Sequence, residues 1–133
     1  MSAVVKKDNR KIKSKKTTID GIEFDSLLEG YAYKCMKMEG FVFQIKPEYE
    51  IIPKFTYQGM GIKRMIWTPD FFLPSINTIV ETKGRANETF PLRLKIFMWI
   101  YCRINGGTEP KIVILENQKQ VRDFIIEYKE YFI

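Results

Sequence analysis

The stretch Thr68-Pro-Asp-Phe-Phe-Leu-Pro-Ser-Ile-Asn-Thr-Ile-Val-Glu-Thr-Lys-Gly84 decides how this chain reads. Ile79 to Lys83 is a β-rich run that stops at Gly84, and the segment through Leu73 is a second such run. Pro74-Ser-Ile-Asn77 between them has turn composition. Centring a hairpin between Ser75 and Ile76 pairs residues whose numbers sum to 151, as do Asp70 and Glu81. In that register the two carboxylates are directly opposite, with Cβ atoms about 4.5–5.5 Å apart. Lys83 is two residues beyond Glu81, so it projects from the same face while Thr82 points away.

Two carboxylates facing each other across a ladder repel, and a plain sheet gains nothing from the pair. A divalent cation removes the conflict, because Mg²⁺ takes oxygen ligands from one or two carboxylates plus a substrate phosphate. A neighbouring lysine can orient a water or neutralise charge that develops on phosphorus. Such a set hydrolyses a phosphodiester without histidine, and this chain has no histidine. That absence excludes Ser-His-Asp and Cys-His chemistry and histidine-metal motifs. The two cysteines, Cys35 and Cys102, are too few for a zinc finger; both sit in apolar, helix-like stretches, where they are expected to be buried and reduced, as suits a reducing compartment.

Outward from this stretch, the 133 residues have the size of one domain, with 45% hydrophobic and 14% aromatic content to build a core. The longest apolar run, Ile96 to Cys102, is far short of the roughly 20 residues of a membrane helix. The N-terminus carries charge where a signal peptide needs apolar residues. The expectation is a cytoplasmic protein without membrane contact.

Thr17 to Phe24 reads as a hairpin around Asp20-Gly21. Ser26-Leu-Leu-Glu29 fits a capping box that opens a helix to about Glu39, with Gly40 as its stop. Strand signals follow at 41–45, 49–52, 54–57 and 62–73, the last two flanking a Gly59-Met-Gly61 turn. A helix spans roughly Thr89 to Arg103, a short apolar strand Lys111 to Leu115, and a final helix about Gln118 to Tyr131. The fold class is α/β, a single domain (17–133) with a central mixed β-sheet flanked by helices.

The net charge of +6 is confined to one place. Residues 6–16 hold seven of the 22 basic residues and one of the 16 acidic ones, which leaves 15 of each elsewhere. Residues 1–16 therefore read as a flexible, disordered basic arm that cannot fold alone and whose lysines grip phosphates.

Pro69-Asp70, ten residues, then Glu81-Thr-Lys83 resembles the signature of the PD-(D/E)XK nuclease superfamily, and the element order resembles its αβββαβ restriction-endonuclease-like core. Lys16 to Glu29 is similar to the opening of small phage-encoded Holliday-junction-resolvase-like nucleases, and the likeness covers roughly Lys16 to Tyr101. The resemblance implies a Mg²⁺-dependent DNA endonuclease, with Mn²⁺ substituting, that resolves branched DNA in phage recombination or replication in a bacterial host's cytoplasm. It implies a homodimer, since a junction needs two symmetric cuts. Asp70, Glu81 and Glu29 would be the metal ligands and Lys83 the catalytic lysine. For Glu29 the capping box is the competing role, because a side chain bonded back to the cap is not free to face a metal. Lys11, Lys13, Lys15 and Lys16 of the arm, with Arg85, Arg93 and Lys95 after the motif, would contact DNA. An end-cleaving transposase-type or restriction-type nuclease, and a non-catalytic nucleic-acid-binding protein on a nuclease fold, are the alternatives. Phe97, Trp99 and Tyr101 read as core or dimer contact.

Overall fold

The computed structural model describes residues 15–83, 89–104 and 108–132. Expectations for residues 1–14 and for Arg85, the arm lysines Lys11 and Lys13 among them, lie outside the described residues.

The first hairpin joins β1 (Thr17–Ile19) to β2 (Ile22–Phe24). Its turn residues Asp20 and Gly21 both have positive φ, 55° and 77°, the condition of the two-residue turn whose twist matches the flanking strands. Helix α1 (Leu27–Met38) begins at Ser26, whose side chain accepts the Glu29 N–H. It ends where Gly40 turns left-handed at φ 81°. The Phe41 N–H then returns to the Met36 carbonyl and the Gly40 N–H to that of Lys37, which satisfies the last open acceptors.

The central sheet has four strands in the order β10, β9, β8, β3, formed by Lys111–Leu115, Thr78–Thr82, Phe71–Leu73 and Gln44–Ile45. β3, β8 and β9 pair antiparallel, and β10 runs parallel to β9. A parallel partner needs a crossover, and helix α2 (Thr89–Ile104) lies in that connection. Helix α3 (Gln118–Tyr128), with a 3-10 turn at Lys129–Phe132, closes the chain.

Alternation along the strands sorts the core into two layers. Phe71, Leu73, Val80 and Leu115 face α1 and α3, against Phe24, Met36, Val121 and Phe124. Phe72, Ile79 and Ile112 face the other way, onto Phe97 of α2. The outcome is a small single-domain α/β protein with a mixed sheet and helices on both faces, as the periodicities imply. None of the described helices is long and apolar enough to cross a membrane.

Four expectations need correction, the first being the strand over 41–45, of which only Gln44–Ile45 is strand. The strand expected over 62–73 is broken into β6 (Met60–Ile62), β7 (Met65–Trp67) and β8. The first two join β4 (Tyr49–Ile52) and β5 (Phe55–Tyr57) in a separate ribbon outside the central sheet. The turn expected at Gly59-Met-Gly61 sits one residue earlier, at Gln58 and Gly59, because these are the pair with positive φ (49° and 81°). Cys102 is exposed rather than buried, since it falls on the solvent side of α2.

Gly30, in the first turn of α1, lies against β1, and a Cβ there would stand 2.7 Å from Thr17 Cγ2 and 3.0 Å from Ile19 Cδ1. Alanine normally gains about 1 kcal/mol over glycine inside a helix. Here the clash reverses the sign: Gly30→Ala is expected to destabilise by about 1–2 kcal/mol, read as a lower urea midpoint. A higher midpoint would show that β1 yields.

Candidate active site

The hairpin register carries the two motif carboxylates to one place. β8 and β9 pair Phe71 with Val80, Phe72 with Ile79 and Leu73 with Thr78, so every pair sums to 151 as the turn implies. Asp70 and Glu81 form the next rung. Their contact differs from two side chains meeting head on, and Thr82, expected to point away, turns its hydroxyl to Asp70. The Asp70 N–H donates to Glu81 Oε1 (2.9 Å), while Asp70 Oδ2 accepts from the Thr82 N–H (2.8 Å) and the Thr82 hydroxyl (2.7 Å). Each carboxylate is thus held by a donor from the opposite strand, which fixes both side chains and leaves one oxygen of each outside these bonds.

Glu29 reaches the same place from α1. It is 2% exposed, a burial that ionisable side chains rarely show. Its Oε1 accepts the Asp25 N–H (2.9 Å), and its Oε2 is buried without a hydrogen-bond partner. Capping engages only one of its two oxygens. One caps the helix start, one residue before the N-cap amide that a capping box uses, and the other lies close enough to Asp70 for the carboxyls to interact directly.

The electrostatics follow. Burial, then the negative charge of Asp70, pushes Glu29 up from its ordinary 4.5 to about 7. The same two causes push Glu81 to about 8, against the Asp70 N–H and the Lys83 charge. Asp70 is raised too, by burial, although Thr82, Glu29 and Lys46 counteract it. Three carboxyls crowded out of water resist ionising together.

Lys46 has no signal in the sequence that would single it out. β3 pairs Gln44 with Phe72 and Ile45 with Phe71, and the next bond is the Lys46 N–H to the Asp70 carbonyl, 2.8 Å. Lys46, Asp70 and Glu81 therefore form one rung across three strands. Lys46 adopts φ 51°, which ends β3, and its ammonium stands 3.5 Å from Asp25 Oδ2. Its charge favours the ionised forms of Glu29 and Asp70. Lys83 follows β9 on the other side, its N–H bonded to the Leu115 carbonyl (2.9 Å), and its charge acts on Glu81. The cluster is flanked by a lysine on each side.

Among the described residues no three acidic or sulfur side chains stand in a cation-holding arrangement. The donor set nevertheless fits a hard divalent cation. Its charged groups are carboxylates, Lys46 and Lys83 offset their mutual repulsion only in part, and Glu29 Oε2 is buried without a hydrogen-bond partner.

The remaining predicted residues are placed differently. Lys15 and Lys16 are exposed just before β1, and Lys95 is exposed on α2. Arg93 donates to the Ile66 carbonyl and so ties α2 to β7. Phe97 is buried against Tyr49, Trp67 and Tyr101, whereas Trp99 is 61% exposed with Arg103 over its ring.

Fold and site together define an α/β protein that gathers three carboxylates and two lysines at one end of a mixed sheet. Residues 9–114 match the model of the family described as protein of unknown function DUF1064, and the chain belongs to that family. Neither the curated proteins nor the solved structures give a match.

Proposed function

We propose that this chain is a metal-dependent DNA endonuclease of the PD-(D/E)XK kind, acting on branched DNA. The observation that carries the reading is the convergence of Glu29 in α1, Asp70 just before β8 and Glu81 in β9 into one acidic cluster, Glu29 buried and the other two half-buried, beside Lys83. Element order supports it: α1, β3, β8, β9, α2 and β10 run in the sequence αβββαβ, with the ribbon inserted between β3 and β8.

Glu29, Asp70 and Glu81 would hold Mg²⁺, with Mn²⁺ able to substitute, and the ion when bound supplies the positive charge that activates a water and polarises the phosphodiester. Thr82 and the Asp70 N–H keep the carboxylates from swinging out to solvent. Lys83 places an ammonium where charge develops on phosphorus, and Lys46 adds a second cation across the rung. The basic arm and exposed lysines such as Lys95 hold the backbone, and a homodimer supplies the paired cuts that a junction needs.

The deciding experiment is cleavage of linear, flapped, forked and four-way DNAs with Mg²⁺ and with chelator. Metal-dependent cutting strongest on branched substrates is expected. No cutting of any of them overturns the reading. Lys83→Ala is expected to lower kcat by about 10²–10³, the effect of removing one oriented charge-stabilising group, with KM little changed. Normal kcat with raised KM would place Lys83 on the backbone track instead.

A further inference from the structure

The ribbon outside the central sheet is one long hairpin. β4 and β7 pair Tyr49 with Trp67 and, past an irregularity, Ile52 with Met65; β5 and β6 continue the same count with Phe55 opposite Ile62 and Tyr57 opposite Met60. Its root is anchored, because Ile51 and Trp67 are buried against Phe97 of α2. Its tip has no such cover. Phe55 is 45% exposed, Tyr57 57% and Met60 56%.

Pairing and alternation put Phe55, Tyr57, Met60 and Ile62 on a single face, while Thr56 and Gly61 take the other. Exposed two-stranded tips are marginal in water, so three exposed large apolar side chains on one face, beside a half-buried Ile62, are a cost unless something binds there. The charge beside them says what. Between Pro53 and Arg64 the chain carries Lys54, Lys63 and Arg64 and no carboxylate; Arg64 is paired with Glu50 nearer the root (3.5 Å), so Lys54 and Lys63 supply the tip's uncompensated charge. Aromatic faces beside cations are the chemistry of unpaired bases, which stack while their phosphates are neutralised. Two copies of the tip packed together would bring four lysines without a paired carboxylate, Lys54 and Lys63 of each, into one interface, and like-charge juxtaposition opposes that.

We propose that the apolar face of this tip is a docking surface for unpaired nucleic-acid bases. It deepens the nuclease reading and rests on it for the choice of DNA. The strand leaving the tip at Met60 reaches Asp70 ten residues later, a span of at most about 35 Å. The tip therefore touches a substrate within roughly one duplex turn of the carboxylates, where a branched DNA exposes unpaired bases and a plain duplex does not.

The test is DNA binding in chelator, by fluorescence anisotropy, on a thymidine homopolymer and a blunt duplex of equal length. Phe55→Ala with Tyr57→Ala is expected to weaken single-strand binding about ten- to a hundredfold, from lost stacking. Duplex binding, carried by phosphate contacts, should stay within about twofold. Tyr57→Leu, which keeps apolar area but loses the π-face, should weaken single-strand binding in the same direction, and Tyr57→Trp should restore it. No loss, equal losses on both DNAs, or full rescue by leucine overturns the proposal. A fall in oligomeric state by light scattering, with DNA affinity following it, would instead make the face a contact between copies. If the native protein cuts no DNA yet the selective loss appears, the nuclease reading fails and the docking surface stands. If it cuts branched DNA and the variants bind normally, the docking surface alone fails.

Discussion

Replacing Glu81 by glutamine is expected to abolish Mg²⁺-dependent cleavage and, in the same molecule, to make the metal-free protein more stable above pH 8. Both effects come from one charge. The amide oxygen of glutamine can still accept the Asp70 N–H that Glu81 Oε1 holds now, so the rung survives. What disappears is the negative charge that a cation needs, and cutting should fall by about 10³ or more. The same charge is what burial and Asp70 resist, holding Glu81 up near 8. Asp70→Asn should behave alike in cleavage, because an amide oxygen can keep accepting the Thr82 N–H. Turnover measured at saturating DNA, beside urea unfolding in chelator, checks both halves. Normal turnover in Glu81→Gln removes it from the metal site, and a loss of stability at high pH removes charge repulsion as a feature of the cluster.

Metal-free stability should fall as pH rises from about 5 to about 8, the reverse of ordinary acid denaturation. Glu29 and Glu81 have folded values near 7 and 8 against an ordinary 4.5, and Asp70 is raised as well. Between those limits the folded chain holds protons that the unfolded chain has released. Stability from this source is therefore complete below about pH 4.5 and is lost as pH passes through the folded values. At about 1.4 kcal/mol per unit the Glu81 shift alone has a ceiling near 5 kcal/mol. Residual solvent contact and coupling among the three reduce the expected fall to roughly 2–3 kcal/mol. Mg²⁺ added at pH 8.5 should restore stability, because a ligand that binds only the folded state stabilises it. Urea midpoints across this range, with chelator and with Mg²⁺, decide the matter. Stability that stays flat or rises in chelator contradicts the buried cluster.

Local signals in the sequence were sufficient for most of this architecture. Asp20-Gly21, the Ser26 cap and Gly40 each act through backbone within a few residues of themselves, so the first hairpin and α1 follow from neighbours alone. The short Pro74–Asn77 connection leaves little choice of register, and Asp70 meets Glu81 on the rung that its symmetry dictates. Glu29 is legible as a cap, but its meeting with Asp70 depends on how α1 packs against the sheet.

Other features were decided only when distant segments packed. Lys46 joins the cluster because β3 pairs with β8, 28 positions apart at Gln44 and Phe72, in a register set by burying Phe71 under α1 while Phe72 faces α2. The strand expected over 62–73 breaks because Trp67 packs on Phe97 while Phe71 and Leu73 enter the central sheet, demands that one straight strand cannot meet together. Propensity and turn chemistry act over a few residues. The choice of face, rung and layer is made by burial of side chains brought together from far along the chain, and at that level the acidic cluster gains its second lysine.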